Sequence, residues 1–353
     1  MKLIIQIPCL NEEEQLPATL ADLPRAVAGF EEVEWLVIDD GSTDRTIDVA
    51  RLHGVDHVVR LTNNKGLAGA FQAGLDASLK LGADVIVNTD ADNQYDARDI
   101  PKLVDPILNG DADLVIGDRV IDQMEHFSPL KKRLQHLGSA VVRRASGTNV
   151  PDTTSGFRAY NREAALQLTV VSKYTYTLES IIQAGKMLVA VDHTPVGARR
   201  VDRPSRLFGH SMWGYVRRNA VAIFRIYAMY EPLRVFMTAA FIVFLAALAI
   251  WIRYLTFLID GSGRGHLQSV IVGAVLLIAA VQLAALGVMG DILAGVRTLQ
   301  QRTLERVRRV ELQLGVEPSH YEPGDDDLPH AKATTGAEAG PATGKPDREK
   351  VGL

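Results

Sequence analysis

The first two-thirds of this 353-residue chain predicts an α/β domain built on a mostly parallel sheet. An interfacial amphipathic helix and a two-helix transmembrane hairpin are expected to follow it. Three observations carry that expectation. Short β-rich runs alternate with helix-like segments from Leu3 to Ile116, the pattern of a parallel sheet covered by helices on both faces. Several of those runs end abruptly in carboxylates. Two later stretches are apolar for long enough to cross a hydrocarbon core, which takes ~20 residues.

The expected strands are Leu3–Ile7, Glu34–Ile38, His57–Leu61, Asp84–Asn88 and Leu114–Ile116. Between them the spacing predicts helices over Glu13–Val27, Arg45–His53, Gly66–Leu81 and Ile100–Leu108. The apolar run at Met1–Leu10 passes straight into Asn11-Glu12-Glu13-Glu14, so it reads as a first strand rather than a signal peptide. This domain is taken as 1–208. The single cysteine, Cys9, excludes an internal disulfide framework and reads as a buried thiol. A formal net charge of −4 gives no basic field for nucleic acid.

From 209 to 232 the chain has two faces. Trp213, Val216, Ala220, Ile223, Phe224 and Tyr227 recur at helical spacing, with Arg217, Arg218 and Arg225 opposite. Glu231-Pro232 breaks the pattern. A helix in the membrane interface and an ordinary surface helix are both open readings. Residues 235–259 and 267–290 predict the hairpin, joined by Asp260–His266. Arg253 lies ~27 Å along the first helix and can reach the far interface. Arg217, Arg218, Arg225 and Arg234 precede the hairpin; Arg297, Arg302, Arg306, Arg308 and Arg309 follow it; the connection holds only Arg264. The positive-inside rule puts the first domain and both termini in the cytoplasm of an integral membrane protein, in the cell membrane if the cell is prokaryotic. Residues 291–315 predict a basic cytosolic helix, and 316–353, rich in Pro, Gly, Asp and Ala, a disordered tail.

The chemistry-bearing residues sit at strand ends. Val85–Asn88 leads into Thr89-Asp90-Ala91-Asp92-Asn93-Gln94, where Asp90 and Asp92 fall on one side of an extended chain and can face one hard divalent ion. An acidic turn explains such a pair equally by itself. A second strand ends in Asp39-Asp40-Gly41-Ser42-Thr43-Asp44, where helix capping accounts for Asp44 but not for two adjacent like charges. Asn63-Asn64-Lys65-Gly66 opens a helix whose N-terminus and Lys65 either face phosphates or only cap. Ile7-Pro8-Cys9-Leu10-Asn11-Glu12 closes the same edge.

Taken in order, Ile7-Pro8, Asn11-Glu12-Glu13, Asp39–Asp44, Asp90-Ala91-Asp92 with Gln94, Gly117-Asp118-Arg119 and Ser155–Arg158 resemble family 2 glycosyltransferases with a GT-A (Rossmann-like) fold. Within that family the chain looks like the polyprenyl- and dolichyl-phosphate hexose synthases, the dolichyl-phosphate mannose synthases among them, over about Leu3–Arg206. The resemblance implies inverting, metal-dependent transfer of one hexose from a nucleotide-diphosphate sugar, of GDP-mannose or UDP-glucose type, to a polyprenyl phosphate at the membrane. It implies donor contacts from Pro8, Asn11, Glu12, Asp39, Asp40, Lys65, Asp90 and Ala91. Asp90, Asp92 and Gln94 are implied around Mg2+ or Mn2+, with Asp92, Gln94 and Arg119 nearest the reaction. Arg119, Arg133, Arg200, Ser205 and Arg206 are implied at the acceptor phosphate.

Two departures stand out. A common Gly-Ser-Arg is Gly117-Asp118-Arg119 here, and a common Arg-x-x-Gly-x-Ser-Lys region reads Arg200-Val201-Asp202-Arg203-Pro204-Ser205-Arg206. Glu179 is either a base for a hydroxyl acceptor or a residue that orders the arginines. A glycosyltransferase acting on a hydroxyl and an inactive nucleotide-sugar-binding membrane scaffold are the alternatives. The chain has no Gln-x-x-Arg-Trp run of processive enzymes, and no Gly-rich phosphate loop follows the first strand. The hairpin also offers a surface for a homo-oligomer.

Overall fold

The computed structural model describes residues 1–120, 129–170, 176–199, 212–260 and 267–322. Eight strands form one mixed sheet: β1 (Lys2–Cys9), β2 (Glu32–Asp39), β3 (His57–Arg60), β4 (Val85–Asn88), β5 (Leu114–Asp118), β6 (Arg158–Asn161), β7 (Val191–Pro195) and β8 (Tyr321–Glu322), in the order β7-β5-β6-β4-β1-β2-β3-β8. β4, β1, β2 and β3 run parallel, while β6 is antiparallel to both β4 and β5. Alternating side chains of the central strands enter two cores. Ile4, Leu36, Ile38 and Ile86 face one, and Leu3, Ile5, Val37, Val85 and Val87 the other. Burial on both faces explains why these strands are continuous apolar runs rather than alternating ones.

The helices are α1 (Leu16–Asp22), α2 (Thr46–Leu52), α3 (Leu67–Lys80), α4 (Ile100–Leu108), α5 (Pro129–Ser146), α6 (Arg162–Gln167), α7 (Thr177–Lys186), α8 (Met212–Tyr230), α9 (Pro232–Ile259) and α10 (Leu267–Gln313). α1 is shorter than the expected Glu13–Val27. Glu12 and Glu13 are held in a turn by the neighbouring loop, and Leu23 is extended (φ −71°, ψ 135°) because Pro24 follows it.

Among the described residues, α9 and α10 are the two helices long and apolar enough to cross a membrane, and only 11% and 17% of their most apolar stretches are buried. A core helix of a soluble domain would be mostly covered. α10 continues unbroken through the segment expected as a separate basic helix and lies along the α/β domain. There the buried Arg308 donates from Nη1 to the carbonyls of Leu166 (3.0 Å) and Leu168 (2.8 Å). Arg309 pairs with Glu163, and Lys80 with Glu311 at 3.2 Å. α8 divides its apolar face. Ile223, Ile226, Tyr227 and Tyr230 pack on the domain core, whereas Val221 and Phe224 are exposed. The domain thus takes part of the face expected to meet lipid.

The expectation of disorder from 316 onward is corrected as far as Glu322. β8 pairs antiparallel with the free edge of β3, and the Arg60 N–H donates to the His320 carbonyl at 2.9 Å. The Tyr321 hydroxyl meets His57 Nδ1 at 2.9 Å, and Arg51 pairs with Glu322 at 2.7 Å. An open strand edge supplies unpaired backbone groups, and these side chains fix the register against it. Residues 323–353 lie outside the described residues.

Candidate active site

Parallel register brings three strand ends to one edge. Cys9 is aligned with Asp39 across β1 and β2, and Gln6 with Asn88 across β1 and β4. The loops beyond them therefore meet. The Asn11 N–H donates to Ser42 Oγ at 2.9 Å, and Asn11 Oδ1 accepts from the Thr43 N–H at 2.8 Å. The Glu12 N–H donates to Thr46 Oγ1 at 2.9 Å, and Glu13 accepts from the Arg45 N–H at 3.0 Å. Asn11 adopts φ 52°, a left-handed conformation that Asn tolerates better than most residues. Cys9 is buried, and burial, with Glu12 and Asp39 adding to it, pushes its thiol well up, so it is a packing residue.

The adjacent acids Asp39 and Asp40 are reconciled by backbone donors. Asp39 accepts from the Ser42 N–H at 3.1 Å. Asp40 accepts from the N–H groups of Lys65 (2.6 Å) and Gly66 (2.9 Å), so it shapes the loop that starts α3. Burial still raises the Asp40 carboxyl above its ordinary range. The two acids thus take different tasks: Asp40 fixes a loop, while Asp39 is fully buried at the floor of the edge. The Lys65 side chain is exposed above that loop.

The Asp90-Ala91-Asp92 turn is held at several points. The Ala91 carbonyl accepts from Thr19 Oγ1 at 2.8 Å, and Asp92 Oδ1 accepts from the Gln94 N–H at 3.1 Å. The Gln94 carbonyl accepts from the Arg199 N–H at 2.7 Å. Asp90 lies against Gly156, where an added Cβ would sit 2.8 and 2.9 Å from its two oxygens. Burial, and next the charge of Asp92, push the Asp90 carboxyl up to about 7; Arg119 and Arg158 oppose that rise. The Asp90 and Asp92 carboxylates are close enough for their charges to repel, and a pair of such oxygen donors fits a hard divalent cation. A methyl group at 156 intrudes on both carboxylate oxygens. Gly156→Ala is expected to lower activity at least about tenfold, since a 1 Å displacement suffices for such a loss, and to cost about 1–3 kcal/mol of stability because the methyl also meets the buried Tyr176 hydroxyl. Parallel rate and melting measurements check it.

Behind this turn is a buried polar chain that sequence reasoning missed. Gln6 Nε2 donates to Asn88 Oδ1 (2.8 Å), and Asn88 Nδ2 donates to the Gly156 carbonyl (2.8 Å) and to the Tyr176 hydroxyl (3.0 Å). The Tyr95 hydroxyl accepts from the Gly156 N–H at 2.9 Å. A polar residue at the centre of an apolar strand, as Gln6 is in β1, was the one signal for it.

Arg119 follows β5 as expected, but its guanidinium is clamped. Nε and Nη2 bond the two Asp152 oxygens at 2.6 and 3.1 Å, Nη2 also bonds Thr154 Oγ1 at 2.8 Å, and Nη1 faces Gln94 Oε1 at 3.5 Å. Asp152 is completely buried, and Arg119 holds its carboxyl below the ordinary range against the cost of burial. Arg158 is likewise buried, donating to the carbonyls of Ser155 and Thr153 and to Ser180 Oγ. It shapes the segment that carries Asp152. Arg133 lies on α5 with an exposed side chain. Arg200, Ser205 and Arg206 lie outside the described residues. Glu179 is fully buried and pairs with Arg297 of α10 at 3.6 Å.

A mixed α/β sheet with acidic loops at the ends of β1, β2 and β4 is the architecture of GT-A glycosyltransferases. Residues 4–169 match the model of the glycosyl transferase family 2 domain. The chain is 34% identical over 207 residues to an undecaprenyl-phosphate mannosyltransferase of Micrococcus luteus, covering 55% of this chain and 83% of the relative. It is 32% identical over 185 residues to a polyprenol monophosphomannose synthase of Mycolicibacterium smegmatis, covering 50% and 68%. Among solved structures, glucosyl-3-phosphoglycerate synthase of Mycobacterium tuberculosis, in complex with Mn2+, UDP and phosphoglyceric acid, shares the fold. Its TM-score is 0.51 at 22% identity, over 64% of this chain and 78% of that one. The chain belongs to glycosyltransferase family 2, and it is a glycosyltransferase.

Proposed function

We propose that the protein transfers one hexose from a nucleotide-diphosphate sugar to a polyprenyl phosphate at the cytoplasmic face of a membrane, with inversion at the anomeric carbon. The observation that carries the reading is the Asp90–Asp92 pair beside the clamped Arg119, in a chain with two exposed apolar helices. The relatives named for undecaprenyl phosphate and polyprenol support the acceptor class.

Asp90 and Asp92, with the Gln94 carboxamide beside them, would hold Mg2+ or Mn2+. Such an ion supplies neutralisation of the charge that develops on a departing diphosphate. Pro8, Asn11, Glu12 and Asp39 line the edge that receives the base and ribose, Ala91 lies in the metal turn, and Lys65 stands at the exposed start of α3 near the phosphates. Asp40 serves them by fixing that loop. Reaction joins an oxygen of the lipid phosphate to the anomeric carbon as the bond to the diphosphate breaks, and the nucleoside diphosphate leaves with the electron pair. The attacking phosphate is already an anion, so no base is required. It needs cations to approach a diphosphate, and Arg119 presents Nη1 beside Gln94 for this. Arg133, Arg200 and Arg206, with Ser205, would complete the phosphate site.

The burial of Glu179 against Arg297 favours this reading over transfer to a hydroxyl, because a general base must reach its acceptor. Arginines flanking the hairpin on both sides support a cytoplasmic domain and termini. The test is incubation of purified protein with polyprenyl phosphate, a divalent cation and a panel of labelled nucleotide sugars. Label extracted into the organic phase is the expected result; label recovered only in a water-soluble glycoside contradicts it.

A further inference from the structure

We propose that the Arg297–Glu179 pair is a positioning device that sets the register of the membrane-anchored helix α10 against the catalytic edge, and so the height of the site above the bilayer. The inference rests on the acceptor being a lipid phosphate.

The pair sits where three helices meet. Glu179 lies in the first turn of α7, and Arg297 lies on α10, about 12 Å beyond Met289 at the end of the apolar stretch. Tyr230, the last residue of α8, closes the cluster: Arg297 Nη2 donates to its hydroxyl at 3.0 Å, and the guanidinium carbon lies 4.4 Å from the ring centroid. The pair is poorly built for stability. Its N···O separation of 3.6 Å exceeds a good hydrogen bond, and Arg297 Nη1 is buried with no hydrogen-bond partner among the described residues. Buried ion pairs generally add little to stability over apolar packing, and their best-attested use is to specify register. Here register has a geometric meaning. A slip of one residue along α10 moves its side chains by about 1.5 Å and turns them by about 100°, removing the guanidinium from Glu179 and Tyr230 together.

The same turn of α7 holds the catalytic edge from behind. Tyr176, immediately before α7, meets Asn88 Nδ2 at 3.0 Å, and its hydroxyl oxygen and both Asp90 carboxylate oxygens crowd the open face of Gly156. Ser180 Oγ accepts from Arg158 Nη1 at 2.7 Å, and Arg158 secures the segment bearing Asp152 and Thr154, the partners of Arg119. One turn of helix therefore joins α10 to the metal turn through Tyr176 and to Arg119 through Ser180 and Arg158. A soluble acceptor can adjust to a shift in height. A phosphate fixed at the bilayer surface cannot.

The test compares wild type, Arg297→Met, Arg297→Lys and Glu179→Gln in lipid vesicles. Each is given either long-chain polyprenyl phosphate in the bilayer or a short-chain polyprenyl phosphate free in solution. Arg297→Met and Glu179→Gln are expected to lower transfer to the bilayer acceptor at least about tenfold, with the soluble acceptor changed by less than about threefold. Arg297→Lys is expected to recover most of the loss, and calorimetric binding of nucleoside diphosphate with Mn2+ is expected to be unchanged in all four. Equal losses on both acceptors, or no loss on either, overturn the proposal. If wild type transfers to neither, the acceptor reading falls on its own, and hydrogen exchange over Thr177–Lys186 decides the coupling without a substrate. Faster exchange in Arg297→Met than in Arg297→Lys supports it, and identical exchange overturns it.

Discussion

Asp92→Asn is expected to reduce sugar transfer by about 10³-fold, roughly 4 kcal/mol of transition-state stabilisation, with little change in fold. Asparagine keeps the shape of the side chain and an Oδ1 that can still accept from the Gln94 N–H, so the turn is retained. What disappears is one of the two negative charges that a divalent cation would need. The second carboxylate, Asp90, is raised first by burial and then by Asp92, so the substitution also relieves part of that repulsion. The protein should therefore melt no earlier than wild type while losing metal-dependent binding of the nucleoside diphosphate. Steady-state rates, melting and calorimetry on the same preparation separate these effects. Activity within about tenfold of wild type would show that charge at this position is not used in the reaction.

The largest stability effect is expected at Arg119. Asp152 has no exposure, and two guanidinium nitrogens satisfy its two oxygens. Arg119→Met strands that carboxylate in the interior, and removing one partner of a buried pair costs about 3–5 kcal/mol. The catalytic domain should melt markedly lower. Arg119→Met combined with Asp152→Asn should recover part of the loss, because no unpaired charge is left behind. Activity should not return in the double variant, since the positive charge beside Gln94 is still missing. A single variant that melts with wild type would show that Asp152 finds another partner. A double variant that regains activity would remove Arg119 from the reaction.

How much of this was legible in the sequence follows from where the information is local. β1, β2 and β4 were readable because each is an apolar run that stops at a polar or acidic group, and parallel pairing then places the three stops together. The adjacent like charges of Asp39 and Asp40 signalled that donors must arrive. Which donors arrive, the N–H groups of Ser42, Lys65 and Gly66, depends on loop folding. β6 and β7 escaped because four- and five-residue strands carrying Arg158, Asp192 or His193 show no apolar run. β8 escaped for a different reason: two residues in a polar tail pair only because β3 leaves an edge open. Asp152 lies 33 residues from Arg119, and no spacing rule joins them. Glu179 was recognisable as a residue of consequence, but its partner lies on α10, more than a hundred positions later.

The most direct measurement is divalent-cation dependence with the product followed by phase. Protein stripped of metal is supplied with labelled nucleotide sugar and polyprenyl phosphate, and organic-phase label is recorded before and after Mg2+ or Mn2+ is added, and again after chelation. No lipid-linked label is expected without the ion, with appearance on addition and loss on chelation. Undiminished lipid labelling in excess chelator would contradict that expectation.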